Sequence, residues 1–246
     1  MTQMEQNKTT KVPRLVEVRQ KVLKQNDVVA RELRRTFAEA GVYVVSLVSS
    51  PGAGKTELLE LTLRELVRRG RRVAAVVGDL ATENDADRLS RSGAPIRQIV
   101  TGTVCHLEAE MVRNALTDWK LSDLDYLFIE NVGNLVCPSS YDLGEDLRIV
   151  LMSTTEGEDK PLKYPTIFNT ADIALITKID LAQVTQFDRR RAMESIQSVR
   201  PGMTVMELSA RSGDGVENWL NTLEVRSAEK TQNAPRFVTK PDALCV

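Results

Sequence analysis

The sequence predicts an α/β fold: a mostly parallel central sheet with helices on both faces and a helical extension at its N-terminal side. Three observations lead there. Short apolar runs alternate with segments of helical period, the pattern of strands that crossover helices bury on both faces. The first run passes through a glycine-containing turn directly into a helix. Ahead of it, residues 14–40 keep a helical period with no strand-like run.

In the extension, Leu15, Val18, Val22, Val29, Leu33 and Phe37 recur at helical spacings among charged residues. The polar run Gln25-Asn26-Asp27 is a candidate break, and Gly41 ends the helix. The period then changes, and Tyr43–Val48 reads as a buried strand. A helix from about Thr56 to Arg69 stops at Gly70. Val73–Val77 and Ile96–Val100 read as the next strands, and 107–118 as a helix. Further strands are expected at Tyr126–Ile129, Arg148–Met152, Ile173–Ile176 and Thr204–Leu208, with helices near 187–199 and 214–223. From about Arg226 the chain turns polar, carries Pro235 and Pro241, and reads as a flexible tail. The expected division is an extension at 1–41, a catalytic domain at 42–224 and a tail at 225–246.

At 246 residues the chain can bury a sizeable core. Lys and Arg total 33 against 34 Asp and Glu, so no global basic field exists to hold nucleic acid or an anionic membrane. Neither partner is expected. The start is polar and no apolar run approaches the roughly 18 residues of a membrane helix, which points to a cytoplasmic protein. Three cysteines, an odd number, argue against a disulfide framework and favour metal binding or reactivity. His106 is the single histidine.

Ser49-Ser50-Pro51-Gly52-Ala53-Gly54-Lys55-Thr56 lies between the first strand and the first sheet helix, where a phosphate-binding loop belongs. Its glycines let backbone N–H groups of Gly52, Ala53 and Gly54 and the helix start at Thr56 and Glu57 face the phosphates. Lys55 reaches the β and γ oxygens, and the Thr56 hydroxyl holds Mg²⁺. The strict pattern has Gly where this chain has Ser49. Magnesium and an attacking water also need carboxylates. Glu130 ends the apolar run Leu127-Phe128-Ile129, Asp79 ends the second strand, and both are expected beside Mg²⁺ with catalytic roles. Gly133 is placed to sense a γ-phosphate through its N–H. Thr82 and Asp85 fit either a capping box or, for Asp85, a direct catalytic role.

Thr177-Lys178-Ile179-Asp180 follows a strand and resembles the Asn-Lys-x-Asp element by which GTPases recognise guanine. Asp180 would accept the N1 and N2 hydrogens that adenine lacks, and the Lys178 stem would lie along the ring. Thr177 replaces the usual Asn. Ser209-Ala210 resembles the accompanying loop that meets the guanine oxygen.

Cys105 and His106 precede a helix, and Cys137 lies just beyond Gly133. Thiolate and imidazole ligands suit Zn²⁺ and other borderline metals, and both segments follow carboxyl ends of strands, where ligands bind. A closed tetrahedral site needs four ligands, so a second subunit could supply the deficit. Cys245 reads as incidental.

Together, the runs Gly78 to Arg88, Thr101 to Met111, Glu130 to Pro138 and Thr155 to Pro165 resemble the HypB family of hydrogenase nickel-incorporation GTPases, in order over residues 15–222. The resemblance implies a P-loop GTPase that cycles between GTP and GDP and dimerises through its nucleotide and metal faces. It also implies Ni²⁺ or Zn²⁺ held by Cys105, His106 and Cys137. The implied role is a metallochaperone coupling GTP hydrolysis to nickel delivery. The implied partners are nickel-accepting maturation proteins and the precursor of the hydrogenase large subunit. Residues 1–40 contain neither Cys nor His, so N-terminal nickel storage is not expected. In the charged loop 156–163, before Tyr164, Ile167 and Phe168, Lys160 or Lys163 is expected either to contact the partner's nucleotide or to be solvated. The alternatives are a urease-type nickel-insertion GTPase and a metal-storing dimer in which nucleotide is only structural.

Overall fold

The computed structural model describes residues 14–79 and 84–233. Among them, α1 (Arg14–Ala40) leads into β1 (Tyr43–Ser49), α2 (Lys55–Arg68), β2 (Val73–Asp79), α3 (Asn84–Ser90), β3 (Ile96–Val100) and α4 (Ala109–Ala115). There follow β4 (Tyr126–Glu130), β5 (Leu147–Ser153), α5 (Lys160–Lys163), α6 (Pro165–Thr170), β6 (Ile173–Thr177), α7 (Arg189–Val199), β7 (Thr204–Glu207) and α8 (Val216–Asn233).

The seven strands form one sheet in the order β3-β2-β4-β1-β5-β6-β7, and every pairing is parallel. β1 lies between β4 and β5, so strand order reverses at its carboxyl end and a crevice for a ligand opens there. The pleat of β1 sends alternate residues to opposite faces. Val45 and Leu47 pack with Leu59, Leu63 and Trp219 from α2 and α8. Val44 packs with Leu33 and Phe37 of α1 and Val112 of α4. Val48 joins Phe168 of α6 and Ile196 of α7. Each helix thus covers the face that its apolar stripe selects. Within this core Trp219 Nε1 donates to Thr62 Oγ1 at 2.9 Å.

Three expectations need correction. Helix α1 is unbroken at 25–27, because Asn26 points inward and both ends of its amide are hydrogen-bonded. The helix expected over 107–118 is confined to Ala109–Ala115, since Leu107 N–H is taken by the Asn131 side chain and the next turn closes on Leu116. The break expected at 225 falls inside α8. Its last turns carry little apolar stripe and are held instead by Lys230, whose Nζ donates to Val42 O at 2.9 Å and Asp146 Oδ2 at 2.6 Å. The remaining tail with Cys245 lies outside the described residues, as do Thr82 and Glu83. Among the described residues no helix is long and apolar enough to cross a membrane.

Candidate functional site

The loop after β1 wraps the start of α2, and two adjoining cavities open over it. One, of about 440 Å³, is lined by Gly52, Lys55, Thr56, Asp79, Glu130 and Gly133 among others. Lys55 is buried and its Nζ donates to Ser49 Oγ at 2.9 Å, so the serine that departs from the glycine pattern gives the lysine a partner at the loop's base. Burial pulls the Lys55 amine below its usual range, opposed by the charges of Glu130, Asp85, Glu156 and Asp79. Thr56 Oγ1 donates to Glu130 Oε1 at 2.7 Å. Glu130 Oε2 is buried with no hydrogen-bond partner, and burial pushes this carboxyl up to about 7. A hydroxyl, an orphaned carboxylate oxygen and Asp79 at the same cavity make a hard-oxygen set of the kind Mg²⁺ takes.

Gly133 sits close against the phosphate loop. A Cβ there would stand 3.0 Å from Pro51 Cα, so the loop after β4 rests directly on the phosphate loop. Asp85 lines the same cavity, while Arg88 from α3 holds Glu60 of α2 at 2.8 Å.

The second cavity, about 340 Å³, is lined by Gly54, Glu57, Thr177, Lys178, Asp180, Ser209 and Ala210, with Leu208 and Arg211 that the sequence reading did not single out. Thr177 Oγ1 donates to Ala53 O and Lys178 Nζ to Gly52 O, each at 2.7 Å. The threonine that departs from the guanine-recognition pattern therefore still braces the phosphate loop. Lys178 takes a left-handed conformation, φ 58°, which turns the chain toward Asp180.

Two loops bring the cysteines and the histidine together. Cys105 Sγ lies 2.8 Å from Cys137 Sγ, and the ligand atoms of Cys105, His106 and Cys137 all fall within 4.8 Å of one another. His106 is buried, its two ring nitrogens make no hydrogen bond, and Glu108 Oε1 lies 3.4 Å from Nε2. Burial lowers its basicity, which leaves a neutral imidazole free to ligate. The ring packs on Tyr141 at 3.9 Å between centroids. Tyr141 is held in turn through its carbonyl, which accepts from Arg148 Nη2 at 2.6 Å, and Arg148 pairs with the buried Glu145. Two soft thiols beside an unbonded imidazole fit nickel or zinc.

Sequence reading missed the link between these sites. Asn131 directly follows Glu130 and accepts through Oδ1 from Leu107 N at 3.0 Å and Val132 N at 2.9 Å, joining the loop of the phosphate cavity to the loop of Cys105 and His106. Asn134 donates to Cys105 O at 3.3 Å. In sequence, an asparagine after a strand reads as a turn former, which hides such a bridge. For Lys160 and Lys163 the sequence leaves two readings, a contact in trans or a solvated loop. The Lys160 side chain is 22% exposed, its Nζ lies 3.6 Å from Glu156 and over the Tyr164 ring, and Glu156 also accepts from Ser50 Oγ. Lys163 is solvent-facing and pairs with Asp159 at 2.7 Å.

A family model described as CobW/HypB/UreG, nucleotide-binding domain, matches residues 43–207. The hydrogenase maturation factor HypB of Azotobacter vinelandii is 45% identical over 233 residues, 94% of this chain and 74% of that protein. Among solved structures, HypB from Helicobacter pylori in complex with nickel is 41% identical, with a TM-score of 0.79 over 87% of this chain and 100% of that one. The hydrogenase maturation factor HypB of Archaeoglobus fulgidus is 35% identical, with a TM-score of 0.77 over 83% of this chain and 99% of that one.

Proposed function

The chain belongs to the HypB family of hydrogenase maturation factors, a family of nucleotide-binding GTPases, and we propose from that premise a nickel-handling switch: GTP hydrolysis times the release of nickel toward a hydrogenase precursor. The observation that carries this reading is the convergence of Cys105, His106 and Cys137 from two loops, one of which rests on the phosphate-binding loop.

In this reading Lys55 and the backbone of Gly52 to Glu57 bind the phosphates, and Asp180, Lys178, Ser209 and Ala210 select guanine. Thr56, Asp79 and Glu130 would hold Mg²⁺, which supplies charge neutralisation at the β and γ oxygens. Glu130, with a proton affinity near neutrality and no partner on Oε2, and Asp79 orient the attacking water. Gly133, resting on Pro51, responds to the presence of the γ-phosphate. Nickel is the cargo, held by the two thiolates and, where the geometry is tetrahedral, by His106 as well; zinc would favour the latter. Val136, directly before Cys137, exposes apolar surface. We place a second copy of the chain there, completing the ligand set and bringing the 156–163 loop toward the partner's nucleotide. Nickel-accepting maturation proteins and the large-subunit precursor are the expected recipients.

Single-turnover GTP hydrolysis with and without Ni²⁺, alongside metal content and light scattering in GDP and in a non-hydrolysable GTP analogue, tests the proposal. A switch shows metal retention and dimer population that differ between the nucleotides. Identical metal content and oligomeric state in both would leave a store in which nucleotide is structural.

A further inference from the structure

Helix α1 carries a polar residue where its stripe should be apolar. Asn26 is 5% exposed, between the buried core residues of α1 and the two loops that bear the metal ligands. Its Nδ2 donates to Asp142 O at 2.8 Å, one residue past the Tyr141 that stacks on His106. Its Oδ1 accepts from Ala109 N at 2.8 Å, at the first turn of α4 and three residues past His106. Glu108, the residue in the N-cap position of α4, makes no capping bond, so Asn26 supplies the cap from another helix.

Two further contacts fix the same helix against the second loop. Arg34 forks onto Asp142 with Nη2 2.7 Å from Oδ1 and 2.9 Å from Oδ2. Gly144 takes φ +81°, and a Cβ on it would stand 2.9 Å from Ala30 O and 3.0 Å from Arg34 N, so the chain is pressed onto the α1 backbone. The amide of Asn26 therefore spans the Cys105–His106 loop and the loop that follows Cys137, and its two hydrogen bonds set their separation.

We propose that Asn26 is a positioning residue for the metal centre, holding Cys105 and His106 at the distance from Cys137 that a single ion requires. This rests on the metal reading given above. Outer contacts that orient ligands typically account for tenfold to hundredfold in metal affinity, so loss of the bridge should weaken nickel binding by about tenfold or more. It also gives the extension at 14–40 a function in the metal site although it contains no ligand.

Asn26→Leu and Asn26→Ala in the full chain test this, with Cys137→Ala as reference. The leucine side chain keeps the branched shape and helical preference of a core position while removing both hydrogen bonds, and Asn26→Asp, which keeps the acceptor for Ala109 N–H and removes only the donor to Asp142 O, is read in the same way should the other two unfold. Ni²⁺ affinity is read by competition with a chromophoric chelator, the ligand geometry by the thiolate-to-nickel charge-transfer band, and the nucleotide site by GDP affinity. The expected result is Ni²⁺ affinity at least about tenfold weaker and a shifted band for Asn26→Leu, GDP affinity unchanged, and near-complete loss of Ni²⁺ for Cys137→Ala. Wild-type Ni²⁺ affinity and an unchanged band in Asn26→Leu, with Cys137→Ala defective, would overturn the positioning role alone. Wild-type affinity in Cys137→Ala would overturn the metal site and this inference with it.

Discussion

Asn131→Ala attacks a buried side chain that, with Asn134, joins the loop of the phosphate cavity to the Cys-His loop. Asn131 is 2% exposed, and Leu107 and Val132, whose N–H groups it accepts, are also buried. Alanine strands both donors. At about 1–3 kcal/mol for each unsatisfied buried group, the expected destabilisation is about 3 kcal/mol, which for a chain this long lowers Tm by roughly 6–12 °C. The Asn131→Asp variant restores an acceptor for both N–H groups and should recover most of that loss. The second readout is nickel affinity measured in GDP and in a non-hydrolysable GTP analogue. Couplings of this kind usually amount to about 1–3 kcal/mol, fivefold to 150-fold, and in Asn131→Ala the two affinities should draw together. A melting temperature within a degree of wild type would refute the hydrogen-bond reasoning. An intact nucleotide dependence of nickel affinity would remove Asn131 from the route between the sites and leave it to Asn134.

Lys55→Ala should lower single-turnover GTP hydrolysis by at least roughly a hundredfold, the usual cost of deleting one charge-stabilising donor; unchanged turnover would sink the phosphate-loop assignment. Asp180→Asn puts an amide donor where guanine needs an acceptor, so GTP-over-ATP selectivity in competition binding should fall by roughly a hundredfold, from about 2–3 kcal/mol of charged hydrogen bonding. Because burial raises Glu130 to about 7 in the folded chain, the folded state binds a proton that the unfolded state releases in the ordinary carboxylate range. Stability of the metal-free protein should therefore fall as pH rises from about 4.5 to 7, and Glu130→Gln should flatten that slope in urea titrations. His106→Ala should weaken Zn²⁺ more than Ni²⁺, whereas Cys137→Ala should weaken both; equal losses of the two metals in His106→Ala would reject the split between tetrahedral and square-planar ligation.

What could be read in the sequence were features whose signal is local. Alternating apolar runs place every strand of the sheet within a residue or two, because buried parallel strands admit little else. Gly-Lys-Thr after a strand, and Asp180 after another, mark their cavities for the same reason: backbone and side chain must be adjacent in the chain to act together. Two departures from pattern, Ser49 and Thr177, became intelligible only with coordinates, since each replaces a lost feature by a hydrogen bond to a residue not next to it in sequence, Lys55 and Ala53. Asn26, Asn131 and Lys230 escaped for a related reason. Each is a polar residue whose partners lie on other elements, and a polar residue in an apolar stripe reads as a break, a turn or a tail until those partners are known.

The placement of these contacts also decides where a change at the phosphate can go. Glu130 is fixed by strand pairing on both sides, opposite Leu47 of β1 and Val77 of β2, and Asn131 N–H is still bound to Leu47 O at 3.0 Å. Backbone freedom therefore begins at Val132, and the next residue is Gly133 on Pro51. A shift of Gly133 toward or away from a γ-phosphate cannot be relieved toward the sheet. It passes in the other direction, through Asn134, whose Nδ2 holds Cys105 O and whose Oδ1 holds Val136 N at 2.8 Å, directly before Cys137. Both thiols are thus tethered to the same short segment. A movement small at Gly133 changes the position of Cys137 and of the Cys105 backbone together, while His106, held on Tyr141 by the Arg148–Glu145 pair, stays with the body of the domain. In the proposed switch the imidazole would be the fixed ligand and the thiolates the movable ones, so nucleotide state would act on the metal by way of sulfur.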